Sequence, residues 1–234
     1  MTPHAAVLRG RVDNHGLIKL NQMDISHFRR EYLSGGLHRS DLEADPVNQF
    51  ATWFDQARKT TIADPTAMVL ATVDKHNRPS QRTVLLKYFD GDGFVFFTNY
   101  GSRKAEEISG NDRVSLLFVW LELDRQVMIN GHAEKISTKD SARYFVSRPR
   151  NSQVAAWVSS QSHGLSSRQA LMQKFSEMKK KFGEGKIPLP SFWGGYRVVP
   201  TEIEFWQGRE NRLHDRFMYK LGADRTWSIE RLAP

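Results

Sequence analysis

Ala67-Met68-Val69-Leu70-Ala71-Thr72-Val73, then polar residues 75–79, then Gln81-Arg82-Thr83-Val84-Leu85-Leu86-Lys87-Tyr88, form the stretch whose reading decides the fold. A short apolar run, a polar segment ending on proline and a second β-forming run predict two antiparallel strands joined by a turn. Asp90-Gly91-Asp92-Gly93 makes the next turn and Phe94-Val95-Phe96-Phe97-Thr98 a third strand, so the three predict a meander. Outward from it, further strands are expected over residues 114–120, 126–136, 196–199, 202–206, 212–219 and 227–231. Many short antiparallel strands joined by tight turns favour a mainly β (α+β) protein, a closed barrel with helices packed outside.

Helices are signalled by a different period. Asp45 is placed to cap a helix opened by Pro46, and Val47, Phe50, Trp53, Phe54 and Ala57 make its apolar stripe. An earlier helix is expected from Asp24, with Ile25, Phe28, Tyr32 and Leu33 on one face and a stop at Gly35-Gly36; Arg29 and Arg30 ride on it. Two short helices are expected over 138–147 and 151–160. A longer one starts at Ser167, carries Leu171, Phe175, Met178 and Phe182, and stops at Gly183. Residues 1–22 are mixed and aperiodic, which predicts a mobile tail before a single domain over 23–234.

The 234 residues carry a formal net charge of +8 and no cysteine. The charge points to anionic partners without choosing among nucleic acid, membrane surface and phosphorylated metabolites. Without cysteine there is no thiolate nucleophile and no cysteine-ligated cluster, so redox chemistry would need an organic cofactor. The eight histidines lie far apart and show no metal-ligand spacing, so no metal is expected. No run is long and apolar enough for a membrane span, and a cytoplasmic protein is the simplest expectation.

Three places concentrate cations. In Trp206-Gln207-Gly208-Arg209-Glu210-Asn211-Arg212-Leu213-His214-Asp215-Arg216, a regular strand after Asn211 would put Arg212, His214 and Arg216 on one face and Leu213, Asp215 and Phe217 on the other. That face is either solvated or, in a cleft, in need of an anion. Thr98-Asn99-Tyr100-Gly101-Ser102-Arg103-Lys104 leaves a strand and enters a helix with two cations in its first turn, where negative groups are preferred. A phosphate there would meet backbone N–H groups, the Thr98 and Ser102 hydroxyls and both cations. Tyr144, Arg148, Arg150 and Ser152 form another basic and hydroxyl-rich cluster, which is either a second phosphate site or a helix end with ordinary charges. Arg82 and Lys87 should face opposite ways on a regular strand. With neither GxGxxG nor P-loop present, two phosphorylated small molecules side by side suit this pattern better than a dinucleotide fold.

Arg82-Thr83-Val84-Leu85-Leu86-Lys87, Thr98-Asn99 with Ser102-Arg103-Lys104, Arg125-Gln126-Val127, Ser147-Arg148-Pro149-Arg150 with Ser152-Gln153, Ser191-Phe192-Trp193-Gly194-Gly195-Tyr196 and Phe205-Trp206-Gln207-Gly208 leading to Arg212-Leu213-His214-Asp215-Arg216 occur in that order. Together they resemble the pyridoxine/pyridoxamine 5′-phosphate oxidase family, from about Phe28 to Pro234. The resemblance implies an FMN-binding split β-barrel and a homodimer with each flavin held between subunits. It carries FMN contacts onto Arg82, Lys87, Phe97, Thr98, Arg103 and Lys104, and onto Gln126, Gln161, Ser162, Trp206 and Arg216. Substrate contacts fall on Lys87, Tyr144, Arg148 and Ser152, which would grip a phosphate, and on Arg212 and His214, the expected catalytic pair. Arg29 and Tyr32 lie in a segment similar to the family's cover over the site. Two positions depart from the family pattern: Phe97 where some relatives have tyrosine, and Val146 where histidine is common.

The activity implied is oxidation at C4′ of pyridoxine or pyridoxamine 5′-phosphate, with hydride passing to the flavin, oxygen as acceptor and hydrogen peroxide released, plus ammonia from the amine. A flavin reductase on the same barrel and, further off, a basic nucleic-acid-binding module are the competing classes.

Overall fold

The computed structural model describes residues 11–12, 18–19, 32, 35–165 and 167–234. The chain divides into two units, 1–32 and 33–234. In the first, β1 (Arg11–Val12) pairs antiparallel with β2 (Ile18–Lys19). The expected helix from Asp24, with Arg29 and Arg30, lies outside the described residues except for Tyr32, and so does most of the expected tail.

The second unit opens with α1 (Pro46–Arg58). Asp45 caps it, accepting from the backbone N–H groups of Val47 (2.7 Å) and Asn48 (3.2 Å), while Pro46 takes the first position, where its missing N–H costs nothing. Then come β3 (Ala67–Val73), β4 (Pro79–Leu85), β5 (Tyr88–Asp90), β6 (Gly93–Asn99), α2 (Arg103–Gly110), β7 (Arg113–Trp120) and β8 (Arg125–Lys135). Three helices follow, α3 (Thr138–Ser147), α4 (Arg150–Val158) and α5 (Arg168–Phe182), before β9 (Trp193–Gln207), β10 (Asp215–Leu221) and β11 (Trp227–Leu232) close the chain.

The sheet is antiparallel in the order β11-β10-β9-β8-β7-β3-β4, and β6, carrying β5, joins the first half of β9. The sheet is strongly curled. Phe50 of α1 lies 4.9 Å from Phe94 of β6 and 5.0 Å from Phe118 of β7, strands that β9 and β8 separate in the ladder. One core of fully buried rings, Phe94, Phe96, Phe118, Trp120, Phe205, Phe217 and Tyr219, fills the barrel, and α1 plugs it with Phe50 and Trp53. Arg125 fixes the helix from outside, stacked 4.3 Å over Trp53 and bonded to Gln207 (2.7 Å).

Several expectations change. The run 81–88 is not one strand: it stops at Leu85, where Leu86 turns inward, its N–H bonding Thr66 O (2.9 Å), and a separate β5 resumes. The meander is therefore interrupted. No ladder joins β4 to β6 among the described residues, so the barrel is split there rather than closed. The two strands expected over 196–199 and 202–206 are one. Pro200 cannot donate, and the ladder passes it with a bulge, Asn130 pairing with Glu202 and Gly131 with Pro200. Gly131 is required at that bulge, since a Cβ would stand 2.1 Å from Val199 O. Finally, the strand expected from Arg212 begins only at Asp215.

Candidate functional site

The split between β4 and β6 opens into a cavity of about 910 Å³, of the size that holds a cofactor or drug-sized ligand. One wall is β4 with Arg82, another is the end of β6 with Phe97 and Thr98, and the start of α2 supplies Arg103 and Lys104. The end of α3 and the start of α4 bring Tyr144, Arg148 and Ser152, and the loop after α4 brings Gln161 and Ser162. Lys87 lines the same space: the break at Leu86 cancels the alternation that would have turned it away from Arg82.

At the α2 end, Lys104 is 8% exposed, and its ammonium bonds Thr98 Oγ1 (3.2 Å), Gln161 Oε1 (3.3 Å) and Ser102 Oγ (3.4 Å). No carboxylate is among these partners. Burial, with the nearby Arg82 charge, holds its pKa below the ordinary lysine value, against the pull of Glu107. Thr98 also donates to Gln161 Oε1 (3.0 Å), which ties the loop after α4 to the strand end. Ser102 occupies the cap position of α2 without a side-chain capping bond. Arg82 donates to Leu70 O (3.0 Å) and Thr72 Oγ1 (2.6 Å), and Arg103 to Glu107 (2.7 Å).

At the other end, the Arg148 guanidinium stacks 4.7 Å over Trp193, and its Nη1 is buried with no hydrogen-bond partner. A buried cationic N–H without an acceptor costs free energy that an anionic oxygen would recover. Beside it Phe97 stacks on Tyr144 (4.0 Å) and on Trp193 (5.3 Å), an apolar wall continuous with the cation. Gly195 allows this packing, because a Cβ there would meet Phe97 at 2.9 Å and Ile136 at 2.6 Å. Arg150 does not join the cluster: it caps α5 instead, donating to the carbonyls of Gly183 and of Gly185 (2.9 Å). Val146, the departure from the family pattern, is exposed and outside the cavity lining.

Gln126, Trp206, Arg212, His214 and Arg216 do not line this cavity. Gln126 of β8, Trp206 of β9 and Arg216 of β10 are direct cross-strand neighbours, so they form one row on one sheet face. His214 packs on Trp206 at 4.6 Å. The expected common strand face of Arg212, His214 and Arg216 is not formed. Arg212 sits in the 3-10 turn Glu210–Arg212, and Asn211 (φ 56°) and Arg212 (φ 61°) are consecutive left-handed residues. Arg216 is held by Glu204 through two bonds (2.7 and 3.0 Å), and it also donates to Ala233 O (2.9 Å). The backbone N–H of Arg209 donates to Nδ1 of His214 (3.1 Å), which puts the proton of the neutral ring on Nε2. Burial and the Arg212 charge both lower the His214 pKa.

Glu107, Thr72 and Ser80 hold the arginines of the cavity and Trp193 carries Arg148; sequence reasoning assigns none of the four a role in the site, although Trp193 stands in one of the motifs that carry the resemblance. The Arg103–Glu107 spacing of four on a helix was the available signal. Among the described residues no helix is long and apolar enough to cross a membrane, and no cluster of metal-ligating side chains occurs.

Pyridoxine/pyridoxamine 5′-phosphate oxidases are similar over most of the chain: that of Rippkaea orientalis is 60% identical over 91% of this chain and 100% of its own, that of Escherichia coli 59% over 90% and 96%. Among solved structures, PhzG from Burkholderia lata in complex with tetrahydrophenazine-1-carboxylic acid superposes with a TM-score of 0.81 at 28% identity, covering 86% of this chain and 99% of that one. A pyridoxamine 5′-phosphate oxidase-related, FMN-binding protein from Nostoc punctiforme shares the fold with a TM-score of 0.68 at 15% identity, over 82% and 100%. The family profile described as pyridoxamine 5′-phosphate oxidase matches residues 54–182, and the pyridoxine 5′-phosphate oxidase C-terminal dimerisation region matches residues 193–234. The chain therefore belongs to the pyridoxamine 5′-phosphate oxidase family.

Proposed function

We propose that this protein is a cytoplasmic, FMN-dependent oxidase that converts pyridoxine 5′-phosphate and pyridoxamine 5′-phosphate to pyridoxal 5′-phosphate. The observation that carries the reading is the cavity with two separately built cationic ends: Lys104 with only neutral acceptors, and Arg148 with a buried, unpartnered Nη1. One ligand phosphate suits each.

The residues present fit FMN. Arg82, Arg103, Lys104, Thr98, Gln161 and Ser162 would hold its phosphate end, with Lys87 nearby and the Phe97 backbone along its edge. Lys87, Tyr144, Arg148 and Ser152 would grip the phosphate of the vitamer, whose ring would rest near the apolar wall of Phe97, Tyr144 and Trp193. Bound FMN would supply the two-electron acceptor for oxidation at C4′, with oxygen as final acceptor and hydrogen peroxide released, and ammonia lost when the substrate is the amine.

The second cluster gives the reading its quaternary form. Gln126, Trp206 and Arg216 would contact the flavin, and Arg212 and His214 the reacting carbon, yet none of the five reaches the cavity of its own chain. In a homodimer formed through the C-terminal region, this cluster of one protomer completes the cavity of its partner. There, Arg212 brings positive charge and His214, its proton on Nε2, offers a donor to the hydroxyl or amine on C4′.

The test is formation of pyridoxal 5′-phosphate and peroxide when pyridoxamine 5′-phosphate is added to the FMN-loaded protein. Turnover of phosphate-free pyridoxamine at a similar kcat/KM would remove the role given to Arg148, and absence of any oxidation would remove the proposed activity.

A further inference from the structure

Glu107 does not line the cavity; it lies behind Arg82 and Arg103, which do. It is 6% exposed. One oxygen of its carboxylate accepts from Thr72 Oγ1 of β3 (2.5 Å) and from Ser80 Oγ (2.6 Å) and Arg82 Nη2 (3.1 Å) of β4; the other accepts from Arg103 Nε of α2 (2.7 Å). One side chain thus joins two strands and a helix at the place where two guanidinium groups meet.

Two guanidinium groups this close repel, and a buried carboxylate costs desolvation. Each offsets the other only in a fixed arrangement. Lys104, on the same helix, adds a third cation with no carboxylate partner. Three cations against one carboxylate leave two uncompensated positive charges, close to the charge of about −2 that a phosphate monoester carries at neutral pH.

We propose that Glu107 is a positioning residue for the FMN phosphate: it fixes the directions of Arg82 and Arg103 and trims the charge of the pocket to match a phosphate monoester. The proposal rests on reading the cavity as the FMN site.

It is tested by titrating the full-length apoprotein with FMN and, separately, with riboflavin, following quenching of flavin fluorescence. Riboflavin lacks the phosphate and serves as the internal control. For Glu107→Gln the FMN Kd should rise about tenfold, the worth of lost bonds to charged groups, while the riboflavin Kd moves by less than about twofold. An unchanged FMN-to-riboflavin preference, including an equal loss for both, would make Glu107 a residue of the fold only and overturn the proposal. So would tighter FMN binding, which would show that the carboxylate merely repels the phosphate. Glu107→Asp keeps the charge but shortens the reach to Arg82 and Arg103, and should lower the preference by about threefold; it decides the matter if Glu107→Gln does not fold, an unchanged preference again counting against it. A wild-type protein that binds neither flavin would instead overturn the reading of the cavity itself.

Discussion

The cavity between β4 and β6 and the row on β8, β9 and β10 are both rich in arginine, but they balance its charge differently. In the row, Glu204 takes Arg216 through two bonds; on the other face of β10, Asp215 takes Arg231 (2.7 Å), with Arg209 at 3.7 Å. In the cavity, Glu107 serves two arginines, Lys104 has neutral acceptors only, and Arg148 keeps a buried N–H unbonded. The row pairs its one cation, Arg216, with a carboxylate and presents a tryptophan and a histidine; the cavity is lined by more cations than carboxylates. On the proposed reading, the pocket with a deficit of anions receives the two phosphates, and the aromatic row orients rings and reacting atoms.

The sharpest way to break this division of labour is to place its two halves on different chains. Arg148→Ala and Arg212→Ala homodimers should each lose most of their activity. A heterodimer of the two, purified through distinct tags after co-expression, contains one site with both regions intact and should recover about half of the wild-type rate. A heterodimer as inactive as its parents would show that both regions serve the same site from one chain.

The next effect separates charge from ring contact. Lys104→Met should weaken FMN binding by roughly tenfold to a hundredfold and leave riboflavin nearly unaffected, because the lost ammonium is a buried partner for phosphate only. Trp206→Ala should weaken both flavins to the same degree. If Lys104→Met weakened riboflavin equally, the cavity would be a general flavin pocket and the contrast between the two regions would vanish.

A smaller effect, about tenfold in kcat, is expected at His214, where the bond from Arg209 N–H leaves Nε2 as the donor. Glutamine carries an amide N–H at a comparable reach and cannot act as a base. His214→Gln should therefore retain more of kcat than His214→Ala, both remaining yellow. Equal loss in the two would turn His214 from a donor into a base.

How far the sequence carried this picture differs between the same two regions. Arg103, Lys104 and Arg148 of the cavity are legible because they sit at element ends marked by local signals: Ser102-Arg103-Lys104 opens a helix, and Arg148 stands just before Pro149, which caps α4. The capping of α1 by Asp45 was legible for the same reason. The strand expected from Arg212 is not legible in the sequence, because the left-handed pair Asn211 and Arg212 delays it to Asp215 and Arg does not advertise that conformation as glycine would. The break at Leu86 was hidden because Leu85-Leu86 reads as uninterrupted strand; only the tertiary contact of Leu86 N–H with Thr66 O ends it. Glu107 is not legible as a site residue because a glutamate on a helix is ordinarily solvated, and nothing local announces that Thr72 and Ser80, direct cross-strand partners, will enclose it.

The smallest expected effect, on acid stability, probes the two buried acids that organise these regions. Burial raises the Glu107 pKa, but the hydrogen bonds from Ser80, Thr72 and Arg103, with the Arg103 charge, outweigh it and bring the value from 4.5 to about 2. Asp215 is lowered in the same manner: burial raises it, and Leu37 N–H, Arg231 and the Arg209 charge prevail. A carboxylate whose folded pKa is depressed stabilises the native state above its unfolded pKa, and that contribution is lost as pH falls through the folded value. For Glu107 the window runs from pH 4.5 down to about 2. Thermal melts of wild type and Glu107→Gln should therefore differ most at neutral pH, and the gap should close progressively below pH 4.5. Asp215→Asn should show the same sign in the other region, its gap also narrowing in acid. A gap that stays constant for Glu107→Gln while it closes for Asp215→Asn would mean that the cavity does not hold its carboxylate ionised. Arg82 and Arg103 would then lack the fixed anion on which their placement depends.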